Sequence, residues 1–156
     1  MAGHTVTVKR EVLAEPIVVW NTVTDVDHAD KILTAVEKVE RVDGVGFDVG
    51  TRWRETRRVM GRSETEEMWV VEAEAPRRAV IAAESNGTVY RTVMDFKPSS
   101  LGTTLVFSFT AETAGAGAGQ KLMFAVLGKA GVKAAKASLE ADLADIAKAI
   151  ERRSRR

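Results

Sequence analysis

The feature that most constrains this chain is an apolar stripe near its end, running through Phe124, Gly128, Val132, Ala135, Leu139, Leu143, Ile146 and Ile150. Every step is three or four residues, the spacing of one helical face. Lys129, Lys133, Lys136, Glu140, Asp145 and Lys148 fall mostly on other faces. The pattern predicts one long half-buried helix from Gln120 to about Glu151. Bulky residues fill the C-terminal half of the stripe, whereas Gly128 and Ala135 thin its N-terminal half. A helix built this way is clamped against a facing sheet at its rear and stands over a cavity toward its front. The alternatives are that Gly128 and Gly131 kink the helix, or that the sheet approaches closely there.

What must face that helix is written upstream. Thr5 to Ala14 alternates Val6, Val8 and Val12 with polar residues and reads as a strand. Pro16 can open a helix, with Ile17, Trp20 and Val23 on its inner face, and a second short helix is expected over Ala29 to Leu33. Asp25, Asp27 and Asp30 interrupt the helical run and read as caps rather than a calcium loop, whose spacing and terminal glutamate they lack. Alternating runs follow over Val36 to Val42, Thr51 to Glu74, Val89 to Phe96 and Thr104 to Thr110, and Arg78 to Glu84 reads as a short apolar strand. Tyr90, Met94 and Phe96 are assigned inward, against the competition of Val89 and Val93. Leu105, Phe107 and Phe109 share the next inner face. No repeat, linker or low-complexity segment interrupts the 156 residues, a length suited to a single domain over 1–156 with one core.

Thr51 to Glu74 carries the chemistry. A hairpin turn at Gly61-Arg62, with glycine at its first central position, would set Arg57 opposite Glu66, Glu55 opposite Met68 and Trp53 opposite Val70. The face with Trp53, Val59, Met68 and Val70 is the more apolar and is assigned inward. Arg52, Arg54, Arg58 and Glu67 then point outward, with Arg54 over Trp69. That places Glu55, Arg57 and Glu66 on an inner wall. Isolated charges are costly there, so a carboxylate–guanidinium–carboxylate cluster, a wet cavity, or both are expected.

Several functions are disfavoured. Net charge is only +1, so no global field draws the chain to nucleic acid. With no cysteine there is neither a disulfide framework nor thiol chemistry. His4 and His28 lack a spaced set of partners for a metal. Gly115 to Gly119 is not followed by the Lys-Ser/Thr of a phosphate loop, which disfavours a nucleotide site; no cofactor is expected. Met1 to Val8 lacks the basic and apolar regions of a signal peptide, and Leu122 to Leu127 is too short to span a bilayer, so the default expectation is a cytoplasmic protein without stable membrane insertion.

The order strand, two short helices, antiparallel strands and long terminal helix is that of the helix-grip fold. The segments VVWNTVTDVDHADKIL (Val18 to Leu33), GTRWRETRRVMGRSETEEM (Gly50 to Met68), DFKPSSLGTTLVFS (Asp95 to Ser108) and the terminal helix together resemble the START-related SRPBCC superfamily, and within it the polyketide cyclase/dehydrase-like proteins. The resemblance spans about Thr5 to Glu151. It implies an α+β, START/Bet v-like domain, in which a curved antiparallel sheet of about seven strands wraps the long helix around a cavity. It further implies a hydrophobic small-molecule ligand such as a lipid or polyketide. Candidate lining residues are Trp53, Glu55, Arg57, Glu66, Met68, Tyr90, Met94, Phe107, Phe124 and Gly128. Ordinary core packing is the competing account of each apolar one. Two other functions stay open. One is a cofactor-free polyketide cyclase/dehydratase, with Arg57 stabilising an enolate and Glu55, Glu66 or Tyr90 moving protons. The other is a protein-interaction module, co-chaperone-like or toxin-like, docking through Leu122 to Leu127. Oligomeric state is not readable from the sequence.

Overall fold

The computed structural model describes residues 5–59, 61–85, 87–112 and 129–154. Seven strands form one antiparallel sheet: β1 (Thr5–Val12), β2 (Val36–Asp43), β3 (Arg52–Val59), β4 (Arg62–Glu74), β5 (Arg78–Ser85), β6 (Thr88–Ser99) and β7 (Gly102–Glu112). Their spatial order is β1-β7-β6-β5-β4-β3-β2. After β1 the chain crosses to the far edge through α1 (Pro16–Val23), a 3-10 turn (Val26–His28) and α2 (Ala29–Ile32), then returns strand by strand. The long helix α3 (Lys129–Ser154) packs on β1, α1 and α2. The expected helix-grip architecture is present; the front of the predicted helix, with Phe124, Gly128 and Leu122 to Leu127, lies outside the described residues.

Local chemistry explains the joints. Pro16 starts α1, where a missing N–H breaks no helical bond. At the other end the Thr24 amide and hydroxyl both donate to the Trp20 carbonyl, at 2.9 and 2.7 Å. The turn between β6 and β7 sits directly on the chain leaving β1. Gly102 has φ +139, and a Cβ there would lie 2.7 Å from the backbone of Ala14, so only glycine fits. Beside it the Thr103 hydroxyl donates to the Ala14 carbonyl at 2.7 Å.

The three aspartates after α1 do not cap with their side chains. Neither the 3-10 turn nor α2 has a side-chain cap bond. Asp25 instead contacts the His28 ring at 2.9 Å, and Asp27 accepts from Arg41 at 3.0 and 3.1 Å. Arg41 also donates to the Gly44 and Gly46 carbonyls, so these charges fasten the β2–β3 loop to the 3-10 turn.

The β3–β4 hairpin corrects the expected register. Val59 pairs with Arg62, Arg57 with Glu64, Glu55 with Glu66 and Trp53 with Met68. The turn therefore lies one residue earlier than expected, with Gly61 at its second central position and φ +80, a conformation that favours glycine. Moving the turn by one residue slides the pairing by two, which keeps every side chain on its predicted face while changing its partner. Arg52, not Arg54, consequently lies over Trp69, 4.7 Å from the ring centre. Arg52 and Arg54 share the Glu67 carboxylate at 2.6 and 3.8 Å on the outer face.

The inner face fills unevenly. Val12, Phe96 and Leu105 are almost wholly buried, together with Leu143, Ile146 and Ile150 from the rear of α3. One row on, Met94 and Phe107 pair across β6–β7 and remain in the core. Beyond them, Thr92, Phe109, Tyr90 and Ala111 are only partly buried. A second, smaller cluster joins Val26, Trp53 and Val70. Aromatic contacts link the two: Phe96 to Trp20 at 5.0 Å, Trp20 to Phe47 at 5.9 Å and Phe47 to Trp53 at 6.4 Å.

Candidate functional site

β3 alternates, so the face that carries Trp53 inward also carries Glu55 and Arg57. Trp53 and Glu55 are buried, and the Arg57 side chain retains 18% of its exposure. The Arg57 guanidinium donates from Nε and Nη2 to one Glu55 oxygen, at 3.3 and 3.2 Å. Its Nη1 donates to both oxygens of Asp142, at 3.1 and 2.9 Å. The expected carboxylate–guanidinium–carboxylate cluster thus exists, but its second carboxylate comes from α3 and not from Glu66. The register explains the change: Glu66 lies across from Glu55, and Glu64 takes the place opposite Arg57.

Asp142 is the member of the cluster that the sequence reading missed. It stands three residues after Leu139 and four before Ile146, within the apolar stripe. A carboxylate at such a position must find a buried partner, and that was the available signal. One turn later, Asp145 accepts from the Thr34 amide and hydroxyl, both at 2.9 Å. These two aspartates fasten α3 to the sheet and to the segment after α2.

Burial dominates the electrostatics. It pushes the Asp142 carboxyl up to about 6; Arg57 opposes the shift, while Glu55 and Asp145 add to it. Burial also works against the charge of Arg57, but the Asp142 and Glu55 carboxylates outweigh it and hold the guanidinium charged. Glu66 is raised chiefly by burial and next by Glu55, with Arg57 pulling the other way. It makes no hydrogen bond or ion pair among the described residues. The Tyr90 hydroxyl is raised by burial and by the charge of Glu66, and its ring stacks on Phe109 at 5.3 Å.

The candidate residues divide into two groups. Met94 and Phe107 lie in the main core, and Trp53 in the smaller one, with Met68 packed beside it. Glu55, Arg57, Glu66 and Tyr90 gather where inner-face packing thins. A row of Cα partners, Trp53–Met68–Ala83–Tyr90–Ala111, crosses from β3 to β7 there. Phe124 and Gly128 lie outside the described residues. A separate groove of about 660 Å³, lined by Leu13, Pro16, Ile17, Pro76, Pro98 and Leu101, opens to solvent at the opposite end of the strands. It contains none of the charged cluster.

A curved antiparallel sheet gripping one long terminal helix, with polar groups turned into the space between them, defines a helix-grip protein. The chain belongs to the family described as "Polyketide cyclase / dehydrase and lipid transport", whose sequence model matches residues 3–151. Solved structures share the architecture. TTHA0849 from Thermus thermophilus is 23% identical, with a TM-score of 0.75 over 97% of this chain and 99% of that one. Zhui aromatase/cyclase from Streptomyces sp. R1128 is 19% identical, with a TM-score of 0.75 over 97% and 95% of the two chains. Ara h 8.0201 is 15% identical, with a TM-score of 0.73 over 94% and 97%. At these identities the likeness is one of fold. None of the curated proteins matches the chain by sequence. Among the described residues, no helix is long and apolar enough to cross a membrane.

Proposed function

We propose that this chain, acting as one domain, holds a hydrophobic or amphipathic small molecule, lipid or polyketide-like, between the inner face of the sheet and α3. The observation that carries this reading is the buried Glu55–Arg57–Asp142 cluster, placed where packing of the inner face gives way from Phe96 and Leu105 to half-buried Tyr90. The apolar body of a ligand would lie along Met68 and the Tyr90–Phe109 stack. Its polar end would meet Glu66, which has no hydrogen-bond partner among the described residues. Native mass spectrometry of the purified protein, followed by solvent extraction, tests the reading. A stoichiometric bound lipid or aromatic compound is expected. A protein that is apo as purified and shows no mass shift with a panel of poly-keto and fatty-acyl ligands overturns it.

A second reading gains from one observation. Asp142, raised to about 6, sits against a guanidinium that is held charged. A cofactor-free cyclase or dehydratase needs such a pair, an acid poised near neutrality and a cation for a developing enolate. Turnover of a poly-β-keto thioester, abolished in Asp142→Asn with binding retained, would establish catalysis.

A further inference from the structure

The two halves of α3 are held differently. From Leu143 onward, Leu143, Ile146, Ala147 and Ile150 are no more than 3% exposed, and Thr34 secures Asp145. Ahead of Asp142, Val132, Ala135 and Leu139 are only partly buried, and Lys133, Lys136 and Glu140 are exposed. Asp142 stands at the boundary, and its bond to Arg57 ties the forward half to β3.

The charges around that tie do not balance. Arg57 and Glu55 face Asp142 from β3. Glu64 and Glu66 lie on the adjacent inner face of β4, with Tyr90 beyond them on β6, and Asp145 lies on the helix itself. The charged residues of β1 and α2, Lys9, Arg10, Glu11, Asp30 and Lys31, are exposed, and α1 carries none. Among the described residues one guanidinium therefore serves two carboxylates, and the ionised cluster carries one negative charge more than these residues compensate, in a buried place.

We propose that the forward half of α3 is a proton-coupled cover for the site: the Glu55–Arg57–Asp142 cluster takes up one proton as the helix closes on the sheet, and loses it as the helix loosens. The proposal rests on the ligand-holding reading only for its consequence, that closure controls access to the space beneath. The direction follows from linkage. Lifting the forward half returns Asp142 to water and to the ordinary aspartate value of 3.8, whereas the closed state holds it near 6. The closed state binds the proton more tightly, so acidification favours closure and rising pH favours opening.

The test is amide hydrogen exchange by mass spectrometry on the full chain without added ligand, with rates corrected for the intrinsic pH dependence of exchange. Peptides covering 132–141 should be about tenfold better protected at pH 5 than at pH 7.5, the factor those two values give. Peptides over 143–150 should not change. In Asp142→Asn the forward half should stay protected at every pH. Should that variant fail to fold, Glu55→Gln leaves a balanced Arg57–Asp142 pair and should move the step to lower pH. Flat protection in the wild type, loosening on acidification, or a step that survives in Asp142→Asn overturns the proposal. Since no ligand enters the measurement, its failure is distinct from a failure to find a bound lipid.

Discussion

The rear and the front of α3 meet the same sheet on opposite terms. At the rear, Leu143, Ile146 and Ile150 close on Val12, Phe96 and Leu105 with almost no residual exposure, so the contact is mostly dispersion and water exclusion, with the Thr34–Asp145 hydrogen bonds at its margin. At the boundary with the front, the contact is an ion cluster that takes three charged groups out of water. Apolar packing has no group to titrate, so the rear is a hinge that pH leaves in place. A buried cluster balances a large desolvation cost against a large attraction, so a small change in charge moves it. The chain therefore combines one attachment that holds and one that can be tuned, with the half-buried Tyr90–Phe109 stack on the same inner face.

Breaking the cluster is the most severe way to probe that contrast. Arg57→Ala strands Glu55 and Asp142 without a cation and should cost about 3–5 kcal/mol at neutral pH, read by urea unfolding. Replacing the whole cluster, as Glu55→Leu with Arg57→Met and Asp142→Leu, should be neutral or should stabilise by about 1–4 kcal/mol. A triple variant as unstable as Arg57→Ala would mean that the charges brace the fold, and the distinction between the two ends would fail.

The matching change at the rear is Leu143→Ala. It removes a side chain that is 1% exposed and should cost about 2–5 kcal/mol through lost burial and the cavity left behind. The loss should be the same at pH 5 and pH 8, since Leu143 belongs to the apolar cluster. A loss that varied with pH would show that the two attachments are coupled and that the hinge is not fixed.

The contrast was half legible in the sequence. The stripe Val132, Ala135, Leu139, Leu143, Ile146, Ile150 follows from helical period alone, and its forward residues Val132, Ala135 and Leu139 are only partly buried. The inward faces of β3 and β4 were also readable, because a period of two survives a two-residue error in register. Partners were not readable, since they depend on which single residue of the turn takes positive φ; hence Glu66 was expected where Asp142 is found. Asp142 lies 85 residues from Arg57 in the chain, and no local pattern connects them. Only its place inside an apolar stripe marked it as a carboxylate with a buried partner.

The smallest effect separates Glu66 from the cluster it was expected to join. Its carboxyl is raised by burial and by Glu55, so its charged form is penalised in the folded protein. Glu66→Gln removes that penalty without a change of shape. It should stabilise by less than about 1 kcal/mol at pH 8. The gain should shrink as pH falls, because the wild-type side chain takes up a proton more readily folded than unfolded, and should vanish below the ordinary carboxylate range. Urea midpoints at pH 8 and pH 4 measure the difference directly. A destabilised Glu66→Gln would show that the Glu66 carboxylate has a partner after all, and that the polar wall beside Tyr90 is as firmly committed as Asp142 and Arg57.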